Sequence, residues 1–250
     1  LIEIKMERCS AADRQGLAMG QTSRELEVTA CTRCPVGMAS DVADGGRCPF
    51  VPRRRSAGAV LHLASDGVDR VCFVKSGTVL VTRSIDDEQV EGAPWAIRRA
   101  GSFLGLEGLV RFDHVDSARA LTDVTLCGAS LSMVKDWLDR RTAAPRVLLE
   151  AALRASAWDR PLRGNADGTA PQRVATWLLK NASEASAEGI PRKVLAGLLG
   201  MRPETLSRAL CGLAAQGAIR HARRTVTIVD RAQLRSVARE GRVSGRRRPD

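Results

Sequence analysis

The stretch RKVLAGLLGMRPETLSRALCGLAAQ, residues 192–216, decides how the chain is read. Its apolar residues recur at three- and four-residue spacing in two separate runs. Val194, Leu195, Leu198 and Leu199 make one short amphipathic face, and Leu206, Leu210 and Leu213 make another. Gly200-Met201 lies between them as a tight turn, and Pro203 suits the first turn of the second helix. Two short helices about a glycine-containing turn form a helix-turn-helix, whose second helix enters the major groove of DNA. Arg202, Glu204, Thr205, Ser207 and Arg208 fall on the outer side of that helix near its start. Arginine pairs with guanine O6 and N7, glutamate accepts from cytosine N4, and serine bonds either way, so these types suit base readout.

Working outward, Gln216-Gly217-Ala218-Ile219 and then Arg223-Arg224-Thr225-Val226-Thr227-Ile228 read as a hairpin wing. Arg192, Arg223 and Arg224 are placed to meet phosphates. An ordinary helical hairpin would account for the leucines, but not for glycine turn, readout residues and basic wing together. The net charge of +11, from 39 Lys+Arg against 28 Asp+Glu, fits a polyanionic partner.

Upstream, the texture is of short strands parted by turn signals. Segments 59–63, 71–74, 78–82, 95–97 and 124–127 are strand-like, with Ser65-Asp66-Gly67 and Lys75-Ser76-Gly77 as turns. Such spacing suggests a small barrel or roll. Pro145 to Arg160 reads as one helix that Pro161 ends, and Pro171 to Asn181 as another. The expected fold class is α+β, in five parts. Residues 1–51 form a cysteine-bearing extension, 52–140 a β-roll sensor domain and 141–163 a dimerisation helix. Residues 164–230 form a winged helix-turn-helix and 231–250 a basic C-terminal tail.

The acidic and basic residues within the first fifteen positions leave no signal-peptide core, and apolar runs such as 57–64 are too short for a membrane span. The expectation is a cytoplasmic protein with no membrane partner. Seven cysteines, an odd number, argue against a disulfide framework in a reducing compartment. Cys31 and Cys34 form a C-x-x-C pair, and thirteen residues separate Cys34 from Cys48. Cys72 and Cys211 lie on strand- and helix-like apolar faces and read as small buried hydrophobes, while Cys9 stays open. His62, His114 and His221 read as isolated, with haem ligation by His62 a minor alternative. Among these residues no nucleotide-binding glycine loop, Ser/His/Asp set or paired-carboxylate motif appears, so no enzyme is expected.

Pro203-Glu204-Thr205-Leu206-Ser207-Arg208 resembles the recognition helix of the CRP/FNR family of transcription regulators, in the Glu-x-x-Ser-Arg form of its FNR-like branch. The resemblance spans roughly residues 50 to 230. It includes the Lys-Ser-Gly-Thr-Val turn at 75–79 and the Gly-Ser-Phe-Leu-Gly segment at 101–105. It implies a cyclic-nucleotide-binding-like roll and a homodimer paired along the 145–160 helix, through Leu148, Leu149, Ala152 and Ala155. It also implies that Glu204, Ser207 and Arg208 read a TTGAT-like half-site of an inverted repeat in double-stranded DNA, with RNA polymerase as a further partner. In the family the roll often holds cAMP by a phosphate-pairing arginine. Here Asp116-Ser117 stands at the matching place, and an acidic residue would repel a phosphate, so cAMP is not expected.

The resemblance further implies Cys31, Cys34, Cys48 and Cys127 as ligands of a [4Fe–4S] cluster, which takes four cysteine thiolates. An oxygen- or nitric-oxide-responsive dimer equilibrium would follow. The same thiolates would serve a structural zinc ion or a thiol redox switch. A structural DNA-binding protein without a sensor role is the remaining alternative.

Overall fold

A computed structural model of the chain describes residues 31–83, 92–163, 168–181, 190–222 and 225–239. Cys9, Arg223, Arg224 and the arginines of the C-terminal tail lie outside the described residues. Eight strands form the roll: β1 Val51–Arg55, β2 Val60–His62, β3 Arg70–Ser76, β4 Thr78–Arg83, β5 Ala93–Arg99, β6 Phe103–Leu104, β7 Ser117–Ala120 and β8 Val124–Ser130. They make two four-stranded antiparallel sheets, ordered β1-β8-β3-β6 and β2-β7-β4-β5.

Side chains on a strand alternate between faces, and β3 and β8 use both. Val74, Leu126 and Val124 point into the roll, where they pack with Val79, Val81, Ala96, Ala118 and Ala120. Val71, Phe73, Cys127 and Ala129 point the other way, into a second core. That core is closed by the segment preceding the roll and by two helices, α2 Leu131–Arg140 and α3 Ala144–Arg163. The preceding segment contributes the short helix α1 Pro35–Met38 with Val36, Ala39 and Phe50.

Its docking is specific. Trp137 Nε1 of α2 donates to Ser40 Oγ at 2.9 Å, and Ser40 donates in turn to the Val36 carbonyl at 2.7 Å. Phe50 stands edge-on to Trp137, with ring centroids 5.4 Å apart, and Arg141 pairs with Asp41.

Three elements differ from expectation. β1 carries Pro52 and three arginines and is exposed along its length. It is a strand because it is an edge strand paired with β8, where a proline is tolerated. α2, also unexpected, starts at Ser130, whose hydroxyl accepts from Met133 N and caps it. Pro161 does not end α3, which runs on to Arg163. Proline holds a helix-compatible φ, so the cost is one missing N–H bond rather than an immediate stop.

The C-terminal domain comprises α4 Ala170–Asn181, α5 Arg192–Leu198, α6 Pro203–Ala215, the hairpin β9 Ile219–His221 with β10 Val226–Ile228, and α7 Arg231–Arg239. Asp230 Oδ1 caps α7 by accepting from Ala232 N and Gln233 N. Leu234 and Val237 of α7 join the same core as Val174, Trp177 and Leu178 of α4. The folded unit therefore extends past residue 230, because α7 has an apolar face to bury. Leu80 of β4 and Ile97 of β5 also enter this core, and Arg99 donates to the Asn181 carbonyl at 2.9 Å.

Replacing Ser40 with alanine leaves the buried Trp137 N–H without its acceptor. The expected loss is about 1–3 kcal/mol of unfolding free energy, read from the urea midpoint at constant m-value.

Candidate nucleic-acid interface and cysteine site

α5 and α6 are turned about Gly200, whose φ of +59° favours a residue without Cβ. Its N–H donates to Gly197 O at 2.9 Å, and Met201 N to Ala196 O at 3.0 Å, closing the turn. Leu206, Ala209, Leu210 and Leu213 face inward from α6 and are buried. Arg202, Glu204 and Arg208 are exposed at the start of α6, with Thr205 and Ser207 half-exposed beside them. The expected readout residues thus share one accessible stretch. Arg192 is placed differently: its guanidinium donates to the Ala222 carbonyl at 3.2 Å and lies 3.3 Å from His221 Nδ1. It ties α5 to the wing. Cys211 is exposed rather than buried, 3.8 Å from His221 Nε2, because its position on α6 lies off the leucine face.

Of the four cysteines expected to act together, Cys31, Cys34 and Cys48 lie on the segment before the roll and Cys127 on β8. α1 begins immediately after Cys34, and the Cys31 carbonyl accepts from Cys34 N at 3.1 Å, folding the C-x-x-C pair into one turn. Gly37 permits this, since a Cβ there would lie 2.0 Å from the Cys31 oxygen. Cys34 and Cys48 pack against the core that holds the buried Cys127 of β8. Lys75 Nζ of β3 donates to Cys31 Sγ at 3.3 Å.

The Cys127 pKa is raised to about 11, chiefly by burial, with Lys75 pulling it down and the Cys34, Cys31 and Cys48 sulfurs pushing it up. Cys48 is raised as well, chiefly by burial, although Phe50 and Ser40 hydrogen bonds oppose this. Lys75 itself is raised, because its bond to Cys31 and the neighbouring thiolates outweigh the effect of its burial.

Cys72 points from β3 the opposite way to Cys127 and is half-buried rather than buried. Among the described residues, no three of the four expected sulfurs lie within 4.8 Å of one another. Tetrahedral zinc with 2.3 Å bonds would hold them roughly 3.8 Å apart.

α3 joins this site to the rest of the molecule. Ala144 and Ala151 are buried in the same core as Cys127, and Leu148 packs against it. Leu149 and Leu153 point outward, 60% and 61% exposed, with Ala152 and Ser156 beside them. Of the four residues expected at a dimer seam, then, Leu149 faces out and Leu148 faces the core. Ala152 and Ala155 line a cavity of about 630 Å³ between α3 and the roll. Across that cavity Arg98 of β5 grips Asp159 of α3 through two bonds of 2.8 and 2.9 Å, both side chains largely buried. Asp116 also lines it, held by Arg83 at 2.6 and 3.0 Å.

The histidines are not all isolated. His62 and His114 stack at 3.7 Å with planes 4° apart, and His114 Nδ1 lies 2.8 Å from Glu107 Oε1. Fifty-two residues separate the two rings in sequence; the β2–β7 ladder brings them together.

Residues 172–237 match the model of the Crp-like helix-turn-helix domain. No curated protein sequence matches the chain significantly. Among solved structures, the chain is similar to FixK2 from Bradyrhizobium japonicum, with 23% identity, a TM-score of 0.63, and 75% of this chain and 96% of that one covered. It is similar to a putative cAMP-binding regulatory protein from Silicibacter pomeroyi, at 23% identity and a TM-score of 0.58, covering 86% and 99% of the respective chains. A transcriptional regulator of the CRP family from Thermus thermophilus gives 20% identity, a TM-score of 0.59 and coverages of 74% and 96%. At these identities the likeness establishes the fold alone. The chain therefore carries a Crp-like helix-turn-helix domain in a two-part fold, joined through α3 to a β-roll. That architecture is shared with regulators of the CRP/FNR type.

Asp159→Ala leaves Arg98 largely buried without its counter-charge. The expected destabilisation is about 3–5 kcal/mol by chemical denaturation, with Arg98→Leu/Asp159→Leu costing much less.

Proposed function

We propose that the protein is a DNA-binding transcription regulator of the CRP/FNR type. In this reading Cys31, Cys34, Cys48 and Cys127 hold a [4Fe–4S] cluster that makes it responsive to oxygen or nitric oxide. The observation carrying the sensor reading is that Cys34 and Cys48 pack against the core that holds Cys127, while Lys75 is bonded to Cys31. The donor set fits: all four proposed ligands would be sulfur, as the cluster needs. Lys75 supplies positive charge beside a group that carries net negative charge. Bound there, the cluster supplies an oxygen- and nitric-oxide-labile crosslink between the segment around α1 and β8.

The remaining steps belong to the chain's own residues. Cys127, held protonated by burial, gives up its proton on ligation. Ser40, Trp137 and Phe50 seat the ligand segment on α2, and Leu148 and Ala151 carry its position to α3. The outward Leu149 and Leu153 pair with a second copy, and the two recognition helices then span an inverted repeat of TTGAT-like half-sites. Losing the pairing forfeits the second half-site and most of the operator affinity.

A cyclic phosphate does not suit the cavity between α3 and the roll. Asp116 and Glu107 face it, and Arg98 is already committed to Asp159.

The test is fluorescence anisotropy of the full chain on a duplex with an inverted TTGAT repeat, at fixed salt without oxygen. Arg208→Ala is expected to lose about 1–3 kcal/mol of specific binding, about five- to 150-fold, while a scrambled duplex binds weakly in every case. Air exposure is expected to weaken operator binding of the wild type. Equal affinity for operator and scrambled duplex would contradict the regulator reading, and indifference to air the sensor reading.

A further inference from the structure

His62 ends β2, and His114 lies in the segment that leads to β7. The backbone fixes both. His114 N donates to Asp66 O at 2.9 Å, and Ser65 N donates to His114 O at 2.9 Å, clamping the second histidine to the turn after the first. Glu107 comes from a single helical turn, Leu106–Leu109, that follows Gly105 in the left-handed region at φ +76°. Three separate parts of the roll thus deliver one imidazole, a second imidazole and a carboxylate to one point. A nitrogen of each histidine and an oxygen of Glu107 all lie within 4.8 Å of one another. His114 is buried, and Glu107 and His62 are half-buried.

We infer that His62, His114 and Glu107 form a binding site for a divalent transition-metal ion of the zinc, cobalt or nickel class. This site is separate from the cysteines and independent of what they hold. Two histidines and one glutamate with open positions are an established donor set for such ions, and the absence of sulfur among these three ligands sets the site apart from a thiolate centre. Ligands 2.1 Å from a tetrahedral ion stand about 3.4 Å apart, a spacing within the 4.8 Å that already contains all three donor atoms. Binding requires the two stacked rings to turn toward each other until both in-plane lone pairs meet at one point, and the 2.8 Å His114–Glu107 contact to open or to use the other ring nitrogen or carboxylate oxygen.

The site also has somewhere to act. His62 and Glu107 line the 630 Å³ cavity whose far wall is Ala155 and Asp159 of α3, and His62 and His114 line a second cavity of about 360 Å³ beside Arg70. An open coordination position toward the larger cavity faces the helix that carries the outward leucines. Metal occupancy would therefore bear on the same helix that packs against the core holding Cys127.

Cobalt(II) titration of the full-length, metal-stripped protein without oxygen tests this. In Cys34→Ser/Cys127→Ser, one equivalent of cobalt is expected to bind with weak ligand-field absorption and no intense sulfur-to-cobalt charge-transfer band. Adding His62→Gln is expected to abolish that equivalent. Adding Glu107→Gln, which keeps an oxygen against His114, is expected to weaken it about ten-fold or more while circular dichroism stays that of the parent. Failure of the cysteine double variant to bind cobalt would overturn the site, as would cobalt binding that survives His62→Gln. Neither result bears on the cysteines, whose own signature is the charge-transfer band of the wild type.

Discussion

The alternation of β3 and β8 between two cores is the constraint on which the rest of the molecule depends. Each strand shows one face to the inside of the roll and the other to the docked segment before it. A shift of one residue in their register would turn Cys127 into the roll and Leu126 out of it. The register is held by antiparallel pairing on both sides of β8, with Cys127 opposite Pro52 of β1 and Phe73 of β3. Cys127 is therefore a fixed point, and the segment carrying Cys31, Cys34 and Cys48 comes to it by way of Phe50, Val36 and the Trp137–Ser40 bond.

From that point the contacts run in one direction. The core around Cys127 includes the inner face of α3, and α3 is tied back to β5 by Arg98 and Asp159. β4 and β5 lend Leu80 and Ile97 to the DNA-binding domain's core, and Gly197 of α5 lies so close to Pro94 that a Cβ would approach its ring within 2.8 Å. The β-roll, α3 and the helix-turn-helix domain thus share side chains instead of meeting through a bare linker. The outward face of α3 offers two leucines among small residues. Fully burying a leucine contributes about 1.5–3 kcal/mol, so pairing through this stripe is shallow. A shallow equilibrium is one that a modest differential energy can reverse.

How much of this the sequence discloses follows from the range of each interaction. The helix-turn-helix is local: its leucines recur at three and four residues and its turn needs one glycine, so both helices are legible within a residue or two. β3, β4, β5 and β8 are legible because apolar residues crowd them. β1 is not, because its stability comes from β8 and none of its five residues is buried. The cysteine set is half-local. Cys31 and Cys34 announce themselves, whereas Cys127 sits 79 residues beyond Cys48 and is reachable only through the family resemblance. The His62–His114 stack has no local sign at all, since strand pairing alone brings the two together. Cys211 misleads because a helix with an apolar face makes a neighbouring cysteine look buried.

The measurement that bears most directly on the central claim is iron and acid-labile sulfide analysis, with an absorbance spectrum, of protein purified without oxygen. The account predicts a brown wild-type protein with about four irons and four sulfides per chain, bleached by air, and a Cys127→Ser protein that lacks the colour. A colourless wild type holding a single zinc on its cysteines, or no metal there, would contradict it.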